Sequence, residues 1–427
     1  PAIPYDALQQ VSKCYDWVLN LNSIKYSKTM CARRVYESQA LGNLILSNYS
    51  IAVNNEFPNI FTVHDAQEAT AIVERTSQEE IERLRAEGLR AVMTEHTVFE
   101  RMDQILAFIG RVPETRKHRL LIVVAQDGEV IRDVINRQSL TPDEIVSADA
   151  LTEQTYDQAD LVAWMDGHES YGEYYLEDLV NGFKYSDASI VRKGSQHPYH
   201  LHEMSCSRNG AIIWRSDIGY DAFQAGELNG KTLLLDQFEW NEQTVVPTDH
   251  TPQLSVVVPI YNNGKHLTYK CFASLTRMDR FMESEILLVD DGSTDIEARQ
   301  AVERLARRYG NVRTYFFETG GSGSASRPRN KGVEMARADY VTFLDPDNEV
   351  LSDRYAFLLQ ELENDPSLDF VAGHMKKLAE KTSIIALPTI RKQGRTVCED
   401  PKAFLLKHRF AVQSIQALVV RRTFLLE

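Results

Sequence analysis

Between residues 254 and 349, three apolar runs each stop abruptly on polar side chains, and no other feature constrains the fold so tightly. Residues 254–260 are rich in valine and end at Tyr261, Asn262 and Asn263. Residues 285–289 run into Asp290, Asp291, Gly292, Ser293, Thr294 and Asp295. Residues 340–344 run into Asp345, Pro346, Asp347, Asn348 and Glu349. Short apolar, β-branched runs without alternation read as strands buried on both faces. Helical segments separate them, near 270–275, near 296–309, and after a glycine-serine loop at 320–326; a fourth short strand is predicted over 312–316. Strands and helices in alternation predict an α/β layer built on a parallel sheet. In such a sheet, ligands bind beyond the carboxyl ends of the strands, where strand order reverses. The three polar ends should therefore converge on one crevice.

The residue types at those ends have a definite chemistry. A carboxylate after the second strand can accept a hydrogen bond from a base N–H, and Tyr261 can offer the same base a ring face and a hydroxyl. Side chains two apart on an extended segment diverge, so Asp345 and Asp347 need the Pro346 turn to converge. Converged, two carboxylates can hold a hard divalent ion and leave positions for phosphate oxygens. Arg329, presented by the glycine-rich loop, can grip a phosphate in a bidentate fork. Ser293 and Asp295 read as helix-capping residues.

These residues resemble the family-2 GT-A glycosyltransferases. The likeness rests on the Val-Pro-x-Tyr-Asn turn ending at Asn262, the Asp290-Asp291-Gly292-Ser293-Thr294-Asp295 strand end, the Arg329-Asn330-x-Gly332 helix start and the Asp345-x-Asp347 pair, all in the family's order. The resemblance implies a nucleotide-diphospho-sugar donor, expected to be a UDP-sugar. It also implies a Mg²⁺ or Mn²⁺ ion and inverting transfer to an acceptor hydroxyl. It assigns Pro259, Tyr261, Asn262, Asp290, Asp291, Arg329 and Asp345 to the nucleotide-sugar, and Asp345 and Asp347 to the metal. Inversion needs a general base near the acceptor hydroxyl. In the family that acid follows a strand matching residues 418–420, so it is expected beyond Glu427, with the domain cut short. The pair Glu399 and Asp400 falls earlier and reads as an N-cap for the helix beginning at Pro401. Pro1 reads as a processed end or a cut inside a longer protein.

Two further blocks precede this one, giving expected domains 1–112, 113–250 and 251–427. The boundaries fall at the Gly110 to Pro113 stretch and at the polar, proline-containing run 246–252. In the first block, apolar positions at helical spacing occupy 5–20, a helix is predicted over 29–40, strands over 43–47 and 61–63, and a long helix over 77–110 opened by Ser77 and Glu80 as a capping box. Around Arg33, Arg34, Glu37 and residues 42–48, this block resembles the donor-binding half of CgeB/YkvP-like GT-B glycosyltransferases. That resemblance places Glu37 at a ribose-facing position, with Arg33 or Arg34 toward phosphate. A solvated charged helix face is the plain alternative.

In the second block, a buried strand at 119–125 and a strand ending at Asp166 lead to Tyr171-Gly172 and a helix containing Tyr175, Leu176, Asp178 and Leu179. This resembles the middle of GT-A enzymes, with Asp166, His168 and Glu169 where acidic metal ligands are expected and Gly167 in place of another acid. An imidazole there suits Mn²⁺ better than Mg²⁺. The block reads as a weakened metal site or a degenerate copy. His197, His200 and His202 form a cluster, with His200 and His202 on one face if extended.

Composition narrows the partners. Lys plus Arg number 47 against 61 Asp plus Glu, a formal net charge of −14, which argues against a general nucleic-acid binder. Five scattered cysteines without a Cys-x-x-Cys spacing read as free thiols of a reducing compartment. No apolar run approaches the roughly 20 residues that span a bilayer. The expectation is a multi-domain glycosyltransferase of the cytoplasm, with peripheral association at the inner membrane face as an option. It would act on a glycan or glycoprotein acceptor in surface-glycan synthesis. The alternative from another class is a non-catalytic glycan-binding or scaffolding fragment. A nucleotidyltransferase would open with a glycine-rich Lys/Arg loop on its first strand, which residues 259–262 do not supply.

Overall fold

The structure is a computed structural model that describes residues 4–112, 118–195, 197–242, 251–351, 354–373 and 414–426, with the single positions 375, 400 and 403. The chain divides into two compact units, Pro1–Glu242 and Gln243–Glu427. Both are α/β.

The first unit contains two sheets. A small parallel sheet holds β1 (Trp17–Asn20), β2 (Leu44–Ser47) and β3 (Phe61–Thr62) in that order. The helical spacing across residues 5–20 does not persist: a helix covers Tyr5–Ser12 only, and β1 follows because its backbone pairs with β2 from Trp17 to Asn20. Sheet pairing overrides the local period. The helix expected over 77–110 is two helices, Gln78–Glu95 and Val98–Phe108, because Thr97 starts a second cap by accepting from the Glu100 N–H. The Ser77 hydroxyl accepts from the Glu80 N–H at 3.2 Å, as the capping box requires.

The second sheet of this unit holds β4 (Leu120–Val124), β5 (Glu144–Ser147), β6 (Leu161–Met165), β7 (Ile190–Arg192), β8 (His200–Ser207), β9 (Ala211–Trp214) and β10 (Glu227–Leu234) in the order β5-β4-β6-β9-β7-β10-β8. β4, β5 and β6 are parallel, while β9 runs antiparallel to both β6 and β7. Buried charge fastens this sheet to the helix Gln78–Glu95. Arg90 gives a bidentate pair to Asp178 at 2.7 and 2.8 Å, and Lys193 bridges Asp178 at 2.8 Å and Asp236 at 2.9 Å. Burial opposes ionisation of Asp178, but Arg90 and Lys193 outweigh it and hold that carboxyl below the usual range.

Among the described residues, the second unit has one six-stranded sheet: β11 (Leu254–Ile260), β12 (Ser284–Asp290), β13 (Val312–Phe316), β14 (Tyr340–Phe343), β15 (Phe370–Ala372) and β16 (Leu418–Arg421), ordered β13-β12-β11-β14-β16-β15. All of β11 and β12 is buried, as uninterrupted apolar runs require. The chain moves outward from β11 through β12 to β13, then returns to the other side of β11 as β14, with all four parallel. The order therefore reverses between β11 and β14, and their carboxyl ends face the crevice where ligands bind in such sheets. β16 and β15 complete the sheet in antiparallel fashion.

Candidate functional site

The loops after β11, β12 and β14 meet at this reversal point. Asn262, after β11, takes a left-handed φ of 51°, a conformation that asparagine tolerates better than most side chains. Its carboxamide oxygen accepts from the Thr294 and Asp295 N–H groups at 2.8 and 2.9 Å, and its own N–H donates to Ser293 Oγ at 2.9 Å. Asn262 thus ties the end of β11 to the turn after β12. Pro259 and Asp290 are buried within their strands. The Asp290 carboxylate closes its own turn, accepting from the Ser293 N–H at 2.9 Å and from the Ser293 hydroxyl.

Asp291 reaches the other way. Its carboxylate accepts from the Ser322 N–H at 2.9 Å, the Ser322 hydroxyl at 2.7 Å and Arg327 Nε at 2.6 Å. Burial would raise its pKa, yet these donors prevail and hold the carboxyl below the ordinary aspartate range. The glycine-serine loop is seated on the strand end by close backbone contact. A Cβ on Gly320 would fall 1.8 Å from the Gly292 carbonyl oxygen, so no larger residue fits there. Tyr261 stands beside the same loop: its hydroxyl lies 3.1 Å from where a Gly321 Cβ would be, and the residue is half exposed.

The helix Ser326–Met335 starts from this loop and lies close against β11, since a Cβ on Gly332 would meet Val257 at 2.2 Å. That approach brings Arg329 Nη2 to Asp345 Oδ1 at 2.6 Å, while Arg329 Nε is buried without a partner. Asp345 is held from a second side by Gln416, just before β16. Gln416 Nε2 donates to Asp345 Oδ2 at 2.7 Å, and Gln416 Oε1 accepts from the Asp345 N–H at 2.9 Å and from Asn348 Nδ2 at 2.8 Å. Sequence reasoning missed Gln416, because its partners lie 68 and 71 residues away and only the sheet brings them together.

Asp347 is exposed on the same turn and pairs with no cation among the described residues. Burial pushes the Cys271 thiol well above its ordinary pKa, and the charges of Asp345, Asp347 and Glu349 add to the effect. Glu349 lies 3.5 Å from Lys270. No group of three or more His, Cys, Asp or Glu that could hold a metal alone occurs among the described residues. Two hard oxygen donors, one of them unpaired, are nonetheless the donor set that suits Mg²⁺ or Mn²⁺ when a ligand's phosphates complete the shell. Beside the site, a cleft of about 570 Å³ opens between β13 and the helix, lined by Tyr315, Phe317, Arg327, Asn330, Lys331 and Glu334.

The weaker candidates are placed differently. Glu37 pairs with Arg33 one helical turn away. The Asp166 carboxylate accepts from the His168 N–H at 3.0 Å, and Glu169 accepts from the Tyr171 hydroxyl at 2.7 Å and from Trp240 Nε1 at 3.1 Å. The side chains of Asp166, His168 and Glu169 thus form no common ligand set. His200 and His202 share a face of β8 with ring centroids 6.1 Å apart. Asp400 accepts from the Ala403 N–H at 2.9 Å, as a capping residue does. Glu399, Pro401 and Glu427 lie outside the described residues, as do Pro113 and most of the 246–252 linker.

Parallel strands with polar groups at their carboxyl ends frame a crevice of the kind where ligands bind, and the comparisons with known proteins give it a family. Residues 255–417 match the family model described as glycosyl transferase family 2, and residues 1–107 match one described as glycosyl transferase-like. The chain thus carries a family 2 glycosyltransferase domain behind a glycosyltransferase-like N-terminal segment. It is 33% identical over 121 residues to glycosyltransferase GlyG of Streptococcus pneumoniae, covering 28% of this chain and 38% of that protein. It is 33% identical over 110 residues to a GalNAc(5)-diNAcBac-PP-undecaprenol beta-1,3-glucosyltransferase of Campylobacter jejuni, covering 26% of this chain and 34% of that protein. The chain thus spans little more than a third of either relative. Among solved structures, residues 1–349 of Staphylococcus aureus TarS in complex with UDP-GlcNAc match at 26% identity with a TM-score of 0.31, covering 40% of this chain and 46% of that one. No helix among the described residues is long and apolar enough to cross a membrane.

Proposed function

We propose that the second unit binds a nucleotide-diphospho-sugar at the ends of β11, β12 and β14 and transfers the sugar, with inversion, to an acceptor hydroxyl. The observation that supports this reading is the Arg329–Asp345 pair after β14 and the Asp291 carboxylate after β12, on the two sides of β11 in a sheet that matches family 2. Tyr261 offers its ring to the base, and Asp291 accepts the base N–H with lone pairs left over from Ser322 and Arg327. Arg329 turns from Asp345 toward the diphosphate, gaining a partner for its buried Nε. Asp345 and Asp347 would hold the divalent ion, with Gln416 and Asn348 fixing the turn that carries them. When bound there, Mg²⁺ or Mn²⁺ supplies Lewis-acid stabilisation of the departing diphosphate. The names of the glucosyltransferase above and of two poly(ribitol-phosphate) beta-N-acetylglucosaminyltransferases similar to this chain favour a surface-glycan acceptor and a UDP-sugar. A cytoplasmic location follows from that donor rather than from the fold.

Calorimetry with UDP- and GDP-sugars in the presence of Mn²⁺ tests the proposal. Wild type should take up one of them in a metal-dependent manner, and Asp347→Ala should weaken uptake at least tenfold. Equal binding by both proteins would remove Asp347 from the site.

A further inference from the structure

The sheet order β5-β4-β6-β9-β7 of the first unit repeats, strand for strand and direction for direction, the order β12-β11-β14-β16-β15 of the second. In each, two strands flank the first strand in parallel, and two further strands follow, the nearer of them antiparallel to both its neighbours. The details correspond as well. The Lys193 N–H donates to the Gly210 carbonyl at 2.9 Å where, in the second unit, the Gly373 N–H donates to Ala417 at 2.6 Å. Gly210 therefore stands where Ala417 does, and Asn209 where Gln416 does.

The strand ends differ in chemistry. By strand register, Tyr261 and Asn262 after β11 correspond to Asp127 and Gly128 after β4. By the same register, Asp290 and Asp291 at the end of β12 correspond to Asp149 and Ala150 just beyond β5. The aromatic face of Tyr261 has no counterpart, Ala150 replaces the Asp291 carboxylate, and Asp127 is taken by Arg132 at 2.7 and 2.6 Å. Asp166, after β6, keeps an acid, but the segment behind it is covered.

Residues 238–241 form that cover. The Gly172 N–H donates to the Glu239 carbonyl at 2.9 Å and the Asn241 N–H to Ser170 at 2.8 Å, with Tyr171 and Trp240 paired as an antiparallel bridge. The Trp240 indole lies against the backbone just beyond β7 and just before β9: a Cβ would come within 2.5 Å of the ring at Gly194 and 2.8 Å at Gly210. Both glycines have left-handed φ values, 99° and 71°, so a side chain there would be strained as well as blocked. Beneath the indole, Trp240 and Tyr171 both donate to Glu169, and the Asp166 N–H donates to the Tyr171 hydroxyl at 2.8 Å. The helix Gln78–Glu95 holds the cover from outside. Arg83 stacks on Phe238 at 4.2 Å and pairs with Glu242 at 2.7 Å. The position from which Gln416 reaches Asp345 in the second unit is thus next to an indole in the first.

We infer that the chain has one nucleotide crevice and not two, the middle sheet being a copy of the same core sealed by its own residues 238–241. This rests on the donor reading of the second unit. The sealed copy serves instead as a rigid platform, locked to the N-terminal layer through Arg90, Asp178, Lys193 and Asp236.

The tryptophans give the test a local reporter, because all four (Trp17, Trp164, Trp214 and Trp240) belong to the first unit. UDP with Mn²⁺ is titrated into the whole chain, with stoichiometry read by calorimetry and tryptophan emission corrected for nucleotide absorbance. The expected result is one equivalent per chain, weakened at least tenfold in the Asp345→Ala/Asp347→Ala double variant, with tryptophan emission unchanged throughout. Two equivalents would overturn the inference. So would uptake that survives the double substitution, quenches tryptophan and disappears in Asp166→Ala. No uptake by wild type would defeat the donor reading while supporting the seal, since an open middle crevice would still bind.

Discussion

The Asp291 carboxylate already accepts from Ser322 and Arg327 before any base arrives. Asp291→Ala removes a charge-assisted anchor worth about 1.5–3 kcal/mol to the loop and the base together. UDP affinity in that variant should fall roughly ten- to hundredfold by calorimetry, and an unchanged affinity would place the base elsewhere. Glu285 is a second buried acid whose role is structural. It accepts from Ser255 Oγ at 2.6 Å, Arg337 Nε at 3.0 Å and Arg313 Nη1 at 3.1 Å, far down the strand from the crevice. Burial opposes its charge, but the hydrogen bonds from Ser255 and Arg337 and then Arg313 prevail, so its pKa is lowered in the folded chain. A lowered carboxyl pKa adds stability that is present above the unfolded glutamate pKa of about 4.3 and disappears as pH falls through the folded value. Glu285→Gln should therefore be destabilised by about 1–3 kcal/mol at neutral pH. Its deficit against wild type should narrow below about pH 4, which denaturant titrations across pH would show.

At the scale of elements, the glycine-serine loop is the piece whose geometry the site depends on. Gly320→Ala puts a methyl group 1.8 Å from the Gly292 carbonyl oxygen, so the loop must leave its seat. Loss of UDP uptake with an unchanged circular dichroism spectrum is the expected outcome; full uptake would mean that Asp291 does not need the loop in place. The strands on which this loop and its neighbours sit are legible in the residues themselves, because β11, β12, β13 and β14 are short apolar runs, three of them with polar stops. The placing of Tyr261, Asp291 and Asp345 just beyond the carboxyl ends of neighbouring parallel strands follows from the topology. What escapes a reading of the sequence is long-range or competitive. Gln416 becomes visible only through sheet pairing, and residues 17–20 leave their helical period to pair with β2. The break at Thr97 comes from a cap inside a continuous helical pattern. Trp240 gives no signal at all, since a lone aromatic after a strand reveals nothing of the backbone it will cover.

For the molecule as a whole, two compact units imply two stabilities. Lys193 is fully buried between Asp178 and Asp236, and Lys193→Met leaves Asp236 without its cation and Asp178 with Arg90 alone, at a cost of about 3–5 kcal/mol. That loss should lower the urea midpoint of tryptophan fluorescence, which reports on the first unit alone, while UDP uptake by the second unit at low urea persists. A shared drop in both signals would show that the units unfold together. The crystal structure of the chain with UDP and Mn²⁺ tests the central claim most directly. The account predicts the nucleotide across the ends of β11, β12 and β14, its base at Tyr261 and Asp291 and its diphosphate between Arg329 and the Asp345–Asp347 turn. Nucleotide bound at the ends of β4 and β6, beneath a displaced Trp240, would contradict it.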